Sequence, residues 1–495
     1  MQEHTTSESI QSATQTGAQH DDTLWNADLA PTDESHRTWS WLNIGALWVG
    51  MVICVPAYLL ASGLIQQGMN WWQAVLTVFL GNLVVMVPML LIGHAGTKFG
   101  VPFPVLLRAS FGTIGARLPG LLRGLVACGW FGIQTWVGGS AIYQIVNGLT
   151  GNIFIGTPLP FLDIDLAQTV SFFAFWALQV WFIMRGMESI RWLETLAAPL
   201  LLGIGVLMLV WAYNAAGGVG TVFARPSAFV EGGAREGQFW QVFWPGFTAM
   251  VGFWATLTLN IPDFTRFAKS QKDQFIGQAI GLPLPMAFLA FISVFVTSAT
   301  LIVFGTEIWD PVALAGRLGG GTALFGLFLL IVATLTTNLA ANVVAPANGF
   351  TNLAPKKISF RTGGLITVGI GVAMMPWKLL ETAGDYLFVW LVGYSSLLGP
   401  IAGIIITDYF FIRRCELDID ALYHRRGAYE YSRGWNIFAL VALIVGILPN
   451  LPGFLTAVNF TDAFPVWLVS LYNYAWFVGA FVASIVYYLL MRYKR

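Results

Sequence analysis

Two stretches decide the fold: Trp48-Val49-Gly50-Met51-Val52-Ile53-Cys54-Val55-Pro56, and Met250-Val251-Gly252-Phe253-Trp254-Ala255 with Pro245 and Gly246 just upstream. Each is an apolar run with a Val-Gly pair in its middle. Pro56 offers no backbone N–H and its ring crowds the turn before it, so a helix through it must kink or break. Interrupted helices at corresponding places in two halves of a chain point to the substrate site of a secondary transporter.

The surrounding sequence supplies the bilayer. Hydrophobic residues make up 56% of the 495 residues and charged ones 10%, whereas a soluble protein carries about 25% charged residues. A span needs about 20 apolar residues. Twelve stretches qualify: 42–65, 70–93, 119–149, 166–184, 191–213, 239–260, 278–305, 321–345, 362–380, 386–411, 434–453 and 466–490. The opening stretches fall in helices 1 and 6, five spans apart. The sequence therefore predicts an all-α membrane protein of twelve transmembrane helices in one transporter domain, 38–490. Residues 38–213 form a first repeat, 239–411 an inverted second repeat, and 434–490 carry helices 11 and 12. The 21 Trp and 37 Phe suit lipid-facing surfaces with aromatic belts.

Lys and Arg occupy alternate loops. Lys98, Arg108 and Arg117 follow helix 2, Arg185 follows helix 4, and Arg266, Lys269 and Lys272 follow helix 6. Lys356, Lys357 and Arg361 follow helix 8, and Arg413, Arg414, Arg425, Arg426 and Arg433 follow helix 10. The opposite side has Arg225, Arg235, Arg317 and Lys378. Basic loops stay inside, which places both termini in the cytoplasm. Residues 1–37 are polar, with Arg37 as their one Lys or Arg. They match neither a signal peptide nor a transit peptide. The expectation is a disordered cytoplasmic tail on a plasma (inner) membrane protein. A net charge of zero gives no bias towards nucleic acid.

The helix interiors lack His, Asp and Glu, which removes the groups an intramembrane enzyme or a simple carboxylate proton relay would use. Isolated amides do not make the continuous polar pore of a channel. Cys54, Cys128 and Cys415 have no metal-ligand or disulfide spacing. What lies at depth is amide, hydroxyl and indole. Trp130 and Gln134 share one face of helix 3, and Asn338 and Asn342 share one face of helix 8, since residues four apart are neighbours. Trp254 flanks the helix 6 break. An amide offers donors and an acceptor to a lactam or urea edge, and an indole stacks on a flat ring. The set suits a neutral planar heterocycle such as a nucleobase. The competing reading is that such polar groups bond neighbouring helices, for about 1 kcal/mol each. Thr336 and Thr337 read either as hydroxyls bonded to their own helix carbonyls or, with carbonyls freed near Gly50 and Ile53, as sodium ligands.

Several further motifs match one family. They are Leu24-Trp25-Asn26-Ala27-Asp28-Leu29-Ala30-Pro31, Gly100-Val101-Pro102-Phe103-Pro104 with Arg108-Ala109-Ser110-Phe111-Gly112, and Gly129-Trp130-Phe131-Gly132-Ile133-Gln134-Thr135-Trp136. Asn260-Ile261-Pro262-Asp263-Phe264-Thr265-Arg266, the run from Thr336 to Asn348, and Leu398-Gly399-Pro400 with Asp408-Tyr409-Phe410 complete them. From about residue 24 to 490 the chain resembles the nucleobase:cation symporters of the first type. The resemblance implies a leucine-transporter-type five-plus-five inverted repeat and alternating access. It implies a substrate ring between Trp130 and Trp254, polar contacts from Gln134 and Asn342, and Asn338 nearby. It implies a sodium site from the backbone oxygens of Gly50, Ile53 and Ala333 and the hydroxyls of Thr336 and Thr337. Cys54 stands where hydantoin-carrying members have Gln, and Phe253 where they have Gly. The helix 1 and helix 8 runs look closer to uracil- and purine-carrying bacterial and plastidic members, although the plastidic ones have Glu at the place of Gln134. The expected function is cation-coupled import of uracil or purines by a monomer, with allantoin or hydantoin as the alternative and a proton as the alternative coupling ion. No other cofactor is expected.

Overall fold

The computed structural model describes residues 21, 23–25, 29–185, 203–353 and 358–493. Helix 1 is broken as Pro56 requires. Trp41–Val52 and Val55–Gln66 meet at 60°, and Cys54 between them is fully extended at φ −147° and ψ 158°. Helix 2 (Trp71–Phe99) opens on a reciprocal Asn70–Gln73 capping box and ends at Gly100, whose φ of 71° is the left-handed conformation that favours glycine. Helix 3 is Arg117–Thr150 and helix 4 is Leu166–Arg185. Of helix 5, expected over 191–213, the described part is Gly203–Ala215; residues 191–202 lie outside the described residues.

Helix 6 runs Phe239–Phe253 and resumes as Ala255–Asn260, interrupted at Trp254. Helix 7 spans Gln271–Gly281 and Pro283–Phe304, and helix 8 spans Gly320–Asn342. Helix 9 (Phe360–Ala373) stops short of the expected 380, because Met375 turns left-handed at φ 48° before Pro376. Helix 10 (Asp385–Ile412) has a wider π-helical turn at each end, at Asp385–Leu391 and Thr407–Ile412. Helix 11 is Ile437–Ala457 and helix 12 is Val466–Tyr493. Eight of these segments are long and apolar enough to cross a bilayer outright, and helix 1 crosses as a bent pair. Helices 5, 8 and 9 complete the twelve.

The burial pattern matches lipid outside and protein inside. Helix 4 exposes Val170, Phe173 and Trp181, and helix 12 exposes Phe481 and Leu489. Helices 3, 6 and 10 are mostly buried. They form the centre of the bundle.

The end carrying the basic loops is tied together by polar contacts. Asp408 is buried and bonds Arg413 at 2.6 Å, the Tyr487 hydroxyl at 2.8 Å and Ser110 at 3.3 Å. This joins helix 10, helix 12 and the short helix Phe103–Phe111. Burial pushes the Arg108 guanidinium of that short helix down to about 10, still charged at neutral pH. The expected disorder of residues 1–37 does not extend through the segment. Thr32 N–H bonds Gly100 O at 2.9 Å, and Arg37 reaches Thr32 O, Thr97 O and Lys98 O. The Tyr423 hydroxyl bonds Leu29 O at 2.5 Å. The backbone of Trp39 exchanges hydrogen bonds with Phe267 and Lys269. Residues 29–39 therefore lie as a strap across this end, while residues 1–20 are outside the described residues.

Candidate functional site

The breaks in helices 1 and 6 create the polar backbone that the sequence anticipates. In an unbroken helix Cys54 N–H would bond Gly50 O. Here it turns to Val52 O at 2.9 Å, and the ladder restarts with Tyr58 N–H on Cys54 O at 3.2 Å. Gly50 O thus loses its helical donor, and a methyl built on Gly50 would meet nothing within 4 Å. On helix 8 the Thr336 hydroxyl donates to Ala333 O at 2.7 Å, so two of the expected sodium ligands lie side by side. Thr336 is fully buried; Thr337 is half-buried and its hydroxyl has no partner among the described residues. Among the described residues no hydrogen bond or ring contact joins Gly50 or Ile53 to helix 8. Hydroxyl and carbonyl oxygens are the donors a hard cation takes, so the residues fit sodium chemically.

Both indoles pack against Phe253. Phe253 packs edge-on against Trp130 at 5.2 Å and against Trp254 at 4.8 Å. All three are buried. Trp254 is held from behind: its indole N–H donates to Asn82 Oδ1 of helix 2 at 2.7 Å, and Trp48 of helix 1 meets its ring at 5.2 Å. Trp130 is ringed by Tyr386, Trp390 and Tyr394 of helix 10, at 6.3, 5.9 and 6.2 Å. The Tyr386 hydroxyl bonds Pro56 O at 2.9 Å, which ties this aromatic wall to the helix 1 break beside buried Cys54. Glycine permits the approach: a Cβ on Gly129 would fall 2.2 Å from the Trp390 ring, and one on Gly252 2.1 Å from Ser395 Oγ.

The three amides differ in what they leave available. Gln134 is 5% exposed, and neither end of its amide has a hydrogen-bond partner among the described residues. Asn342 donates its NH2 to Asn338 Oδ1 at 3.0 Å, and its own Oδ1 has no partner among the described residues. Asn338 is fully engaged, bonding Phe131 O at 3.0 Å and Gln179 Oε1 at 2.6 Å. The polar atoms of Gln134 and the Asn342 carbonyl are not among the unpartnered atoms sealed from solvent, so they are the amide groups of this set left available to a ligand. Beside Trp130, the Trp390 indole N–H lacks a partner among the described residues.

Sequence reasoning passed over Asn82, Gln179 and the Tyr386, Trp390, Tyr394 stripe. The stripe has a legible signal, because its four-residue spacing puts three large aromatics on one helix face. Asn82 and Gln179 are lone amides in apolar spans, and the contacts that tie them to Trp254 and Asn338 reach across 172 and 159 residues.

Residues 31–479 match the family model described as permease for cytosine/purines, uracil, thiamine, allantoin. The chain is 45% identical to the purine-uracil permease NCS1 of Arabidopsis thaliana, covering 96% of this chain and 79% of that protein. It is 40% identical to the allantoin permease of Bacillus subtilis, covering 96% and 94%. The solved inward-facing conformation of Mhp1 superposes with a TM-score of 0.76 at 27% identity, over 96% of this chain and 95% of that one. The architecture is thus the twelve-helix, five-plus-five inverted repeat with two added helices, and the protein is a multi-pass membrane transporter and not an enzyme. Motifs, broken helices and comparisons agree, and the chain belongs to the family of permeases for cytosine and purines, uracil, thiamine and allantoin, the nucleobase:cation symporters of the first type.

Proposed function

We propose that the protein is a cation-coupled symporter that imports a neutral planar nucleobase, uracil first and purines next, by alternating access. One observation carries the reading. Two amide groups, Gln134 one helical turn from Trp130 and the carbonyl end of Asn342, have no hydrogen-bond partner among the described residues, and the indoles of Trp130 and Trp254 both pack against Phe253. Polar edges and aromatic faces in one apolar site are what a flat lactam requires. Phe253 touches both indoles and Cys54 lies at the helix 1 break, so these two residues shape the space beside the ring. The Arabidopsis relative is named for purines and uracil. The Bacillus relative is named for allantoin, which supports a second reading, transport of allantoin or a hydantoin, with the same urea-type contacts.

Sodium is the coupling ion in this proposal, held by the backbone oxygens of Gly50, Ile53 and Ala333 and the hydroxyls of Thr336 and Thr337. The oxygen donor set and the freed Gly50 carbonyl support it. The protein acts as a monomer in the plasma (inner) membrane with the basic end and both termini in the cytoplasm, as the loop charges direct. The test is uptake into proteoliposomes of labelled uracil, hypoxanthine, adenine, allantoin and hydantoin, each with sodium or with choline outside. Sodium-stimulated uracil or purine uptake is expected. Uptake indifferent to sodium but abolished by collapsing a proton gradient would sink the sodium assignment, and uptake of allantoin or hydantoin alone would transfer the assignment to the second reading.

A further inference from the structure

A cation below the pocket has no acceptor. Arg123 precedes Trp130 by two turns of helix 3, about 10 Å along the same face, towards the end carrying the basic loops. It is 5% exposed, its Nε is sealed from solvent, and its guanidinium makes no hydrogen bond or ion pair among the described residues. Burying a charge without a partner is costly. The carboxylate whose charge acts on it is Asp263, where helix 6 ends. Asp263 is only half engaged. Its Oδ1 accepts the Phe103 N–H at 2.8 Å and so caps the short helix Phe103–Phe111, whose preceding residue, Pro102, offers no side-chain acceptor. Its Oδ2 has Asn260 Nδ2 at 3.4 Å, and Arg266 of the next turn also attracts it. Asn260 Oδ1 is buried without a partner among the described residues. Helix 3 thus carries donors that lack acceptors, and the end of helix 6 carries acceptors that lack donors.

The two residues ride on different parts of the bundle. Helix 3 packs against helices 4, 8 and 9. The turn Pro262–Thr265 is fixed to helix 2: Thr265 Oγ1 donates to Gly93 O at 2.9 Å, Thr97 Oγ1 donates to Thr265 O at 3.0 Å, and a Cβ on Gly96 would fall 2.8 Å from Pro262 Cα. Helix 2 packs in turn on helices 6 and 7, and helix 7 on helix 1. The segment Ala255–Asn260 meets both helix 3 and the short helix. We propose that Arg123 and Asp263 form the gate at the basic end: apart in this structure, they pair when helices 1, 2, 6 and 7 close against helix 3, and they separate to let the substrate leave. This rests on the alternating-access reading above and goes beyond it by naming the pair that holds one end shut. Phe103 N–H keeps Asp263 Oδ1 throughout, so Oδ2 is the oxygen that takes the guanidinium. Asn260 Oδ1 can accept another of its five N–H donors. Opening exchanges these charge-assisted bonds for water, so the pair biases the two states without touching the substrate.

The test is the distance between spin labels on Leu118→Cys of helix 3 and Lys272→Cys of helix 7, in the full-length protein with Cys415→Ser, in lipid nanodiscs with sodium and uracil. Leu118 and Lys272 are exposed at the basic end, whereas Cys54 and Cys128 are buried. Two distances are expected, a short one with the gate closed and a long one with it open. Asp263→Asn keeps an acceptor for Phe103 N–H and removes the charge. It and Arg123→Gln should each lower the short-to-long ratio by about fivefold or more, the double variant should lower it no further than either alone, and Arg123→Lys should keep it closer to native. A single distance in the native protein overturns the proposal. So do an unchanged ratio in the folded single variants, as for a guanidinium that only reaches for water, and single effects that multiply in the double variant. If Arg123→Gln loses its thermal unfolding transition, an unchanged ratio in Asp263→Asn overturns the proposal instead. Native protein that shows both distances but no counterflow of uracil would sink the carrier reading and not the pair.

Discussion

Replacing Phe253 with alanine should exchange one substrate class for another. Phe253 is 7% exposed and its ring meets Trp130 at 5.2 Å and Trp254 at 4.8 Å, both edge-on. Alanine is preferred to glycine, which would cost roughly 1 kcal/mol more in a helix. A substrate ring seated against these aromatics loses one edge contact, worth about 0.5–1.5 kcal/mol, so uracil affinity should fall about two- to twelvefold. The vacated space accepts a side group on the ring instead. Burying a phenyl-sized group there contributes about 1.5–3 kcal/mol, so 5-benzylhydantoin should inhibit uracil uptake about ten- to a hundredfold more strongly than it does in the native protein. The assay is competition for labelled uracil uptake in proteoliposomes, with thermal unfolding followed in parallel because a Phe→Ala cavity costs about 3–5 kcal/mol in a packed core. A folded variant in which uracil and 5-benzylhydantoin keep their native ranking would refute the placement of Phe253 at the substrate.

Asn82→Leu strips the Trp254 indole N–H of its acceptor; the unsatisfied donor should cost on the order of 1–3 kcal/mol, seen as a five- to hundredfold rise in KM for uracil and a shift in tryptophan fluorescence. Thr336→Ala and Thr337→Ala should each raise the sodium concentration for half-maximal uptake by about tenfold or more, while uracil uptake at saturating sodium persists; an unaltered sodium dependence in both would remove these hydroxyls from the cation site. Asp408→Ala leaves half-buried Arg413 without its carboxylate at 2.6 Å and the Tyr487 hydroxyl without its acceptor, which should lower stability by about 1–3 kcal/mol, read as a lower unfolding temperature in detergent with the substrate ranking unchanged among molecules that remain folded.

The parts of this molecule that were legible in its sequence are those set by local chemistry. Pro56 breaks helix 1 because it has no N–H, whatever surrounds it. Asn338 and Asn342 share a face because a helix turns every 3.6 residues, and their 3.0 Å bond follows. Long apolar runs gave the spans for the same reason. What was hidden depends on partners distant in the chain. That Asn338 is engaged by Gln179, while the Asn342 carbonyl has no partner among the described residues, depends on a contact 159 residues away. The anchoring of Trp254 by Asn82 spans 172 residues. The strap at residues 29–39 reads as polar tail because backbone hydrogen bonds to Gly100, Phe267 and Lys269 leave no mark on composition. The π-helical turn Asp385–Leu391 of helix 10, which carries Tyr386 and Trp390 beside Trp130, likewise has no pattern in the sequence.

Counterflow tests the central claim most directly. Proteoliposomes loaded with unlabelled uracil should take up labelled uracil faster than empty ones, because exchange across a carrier demands a bound substrate that both faces reach in turn. The native protein should show this acceleration, and both Gln134→Ala and Asn342→Ala should lose it by about tenfold or more. Native-rate exchange of uracil, purines, allantoin and hydantoin by both variants would contradict it.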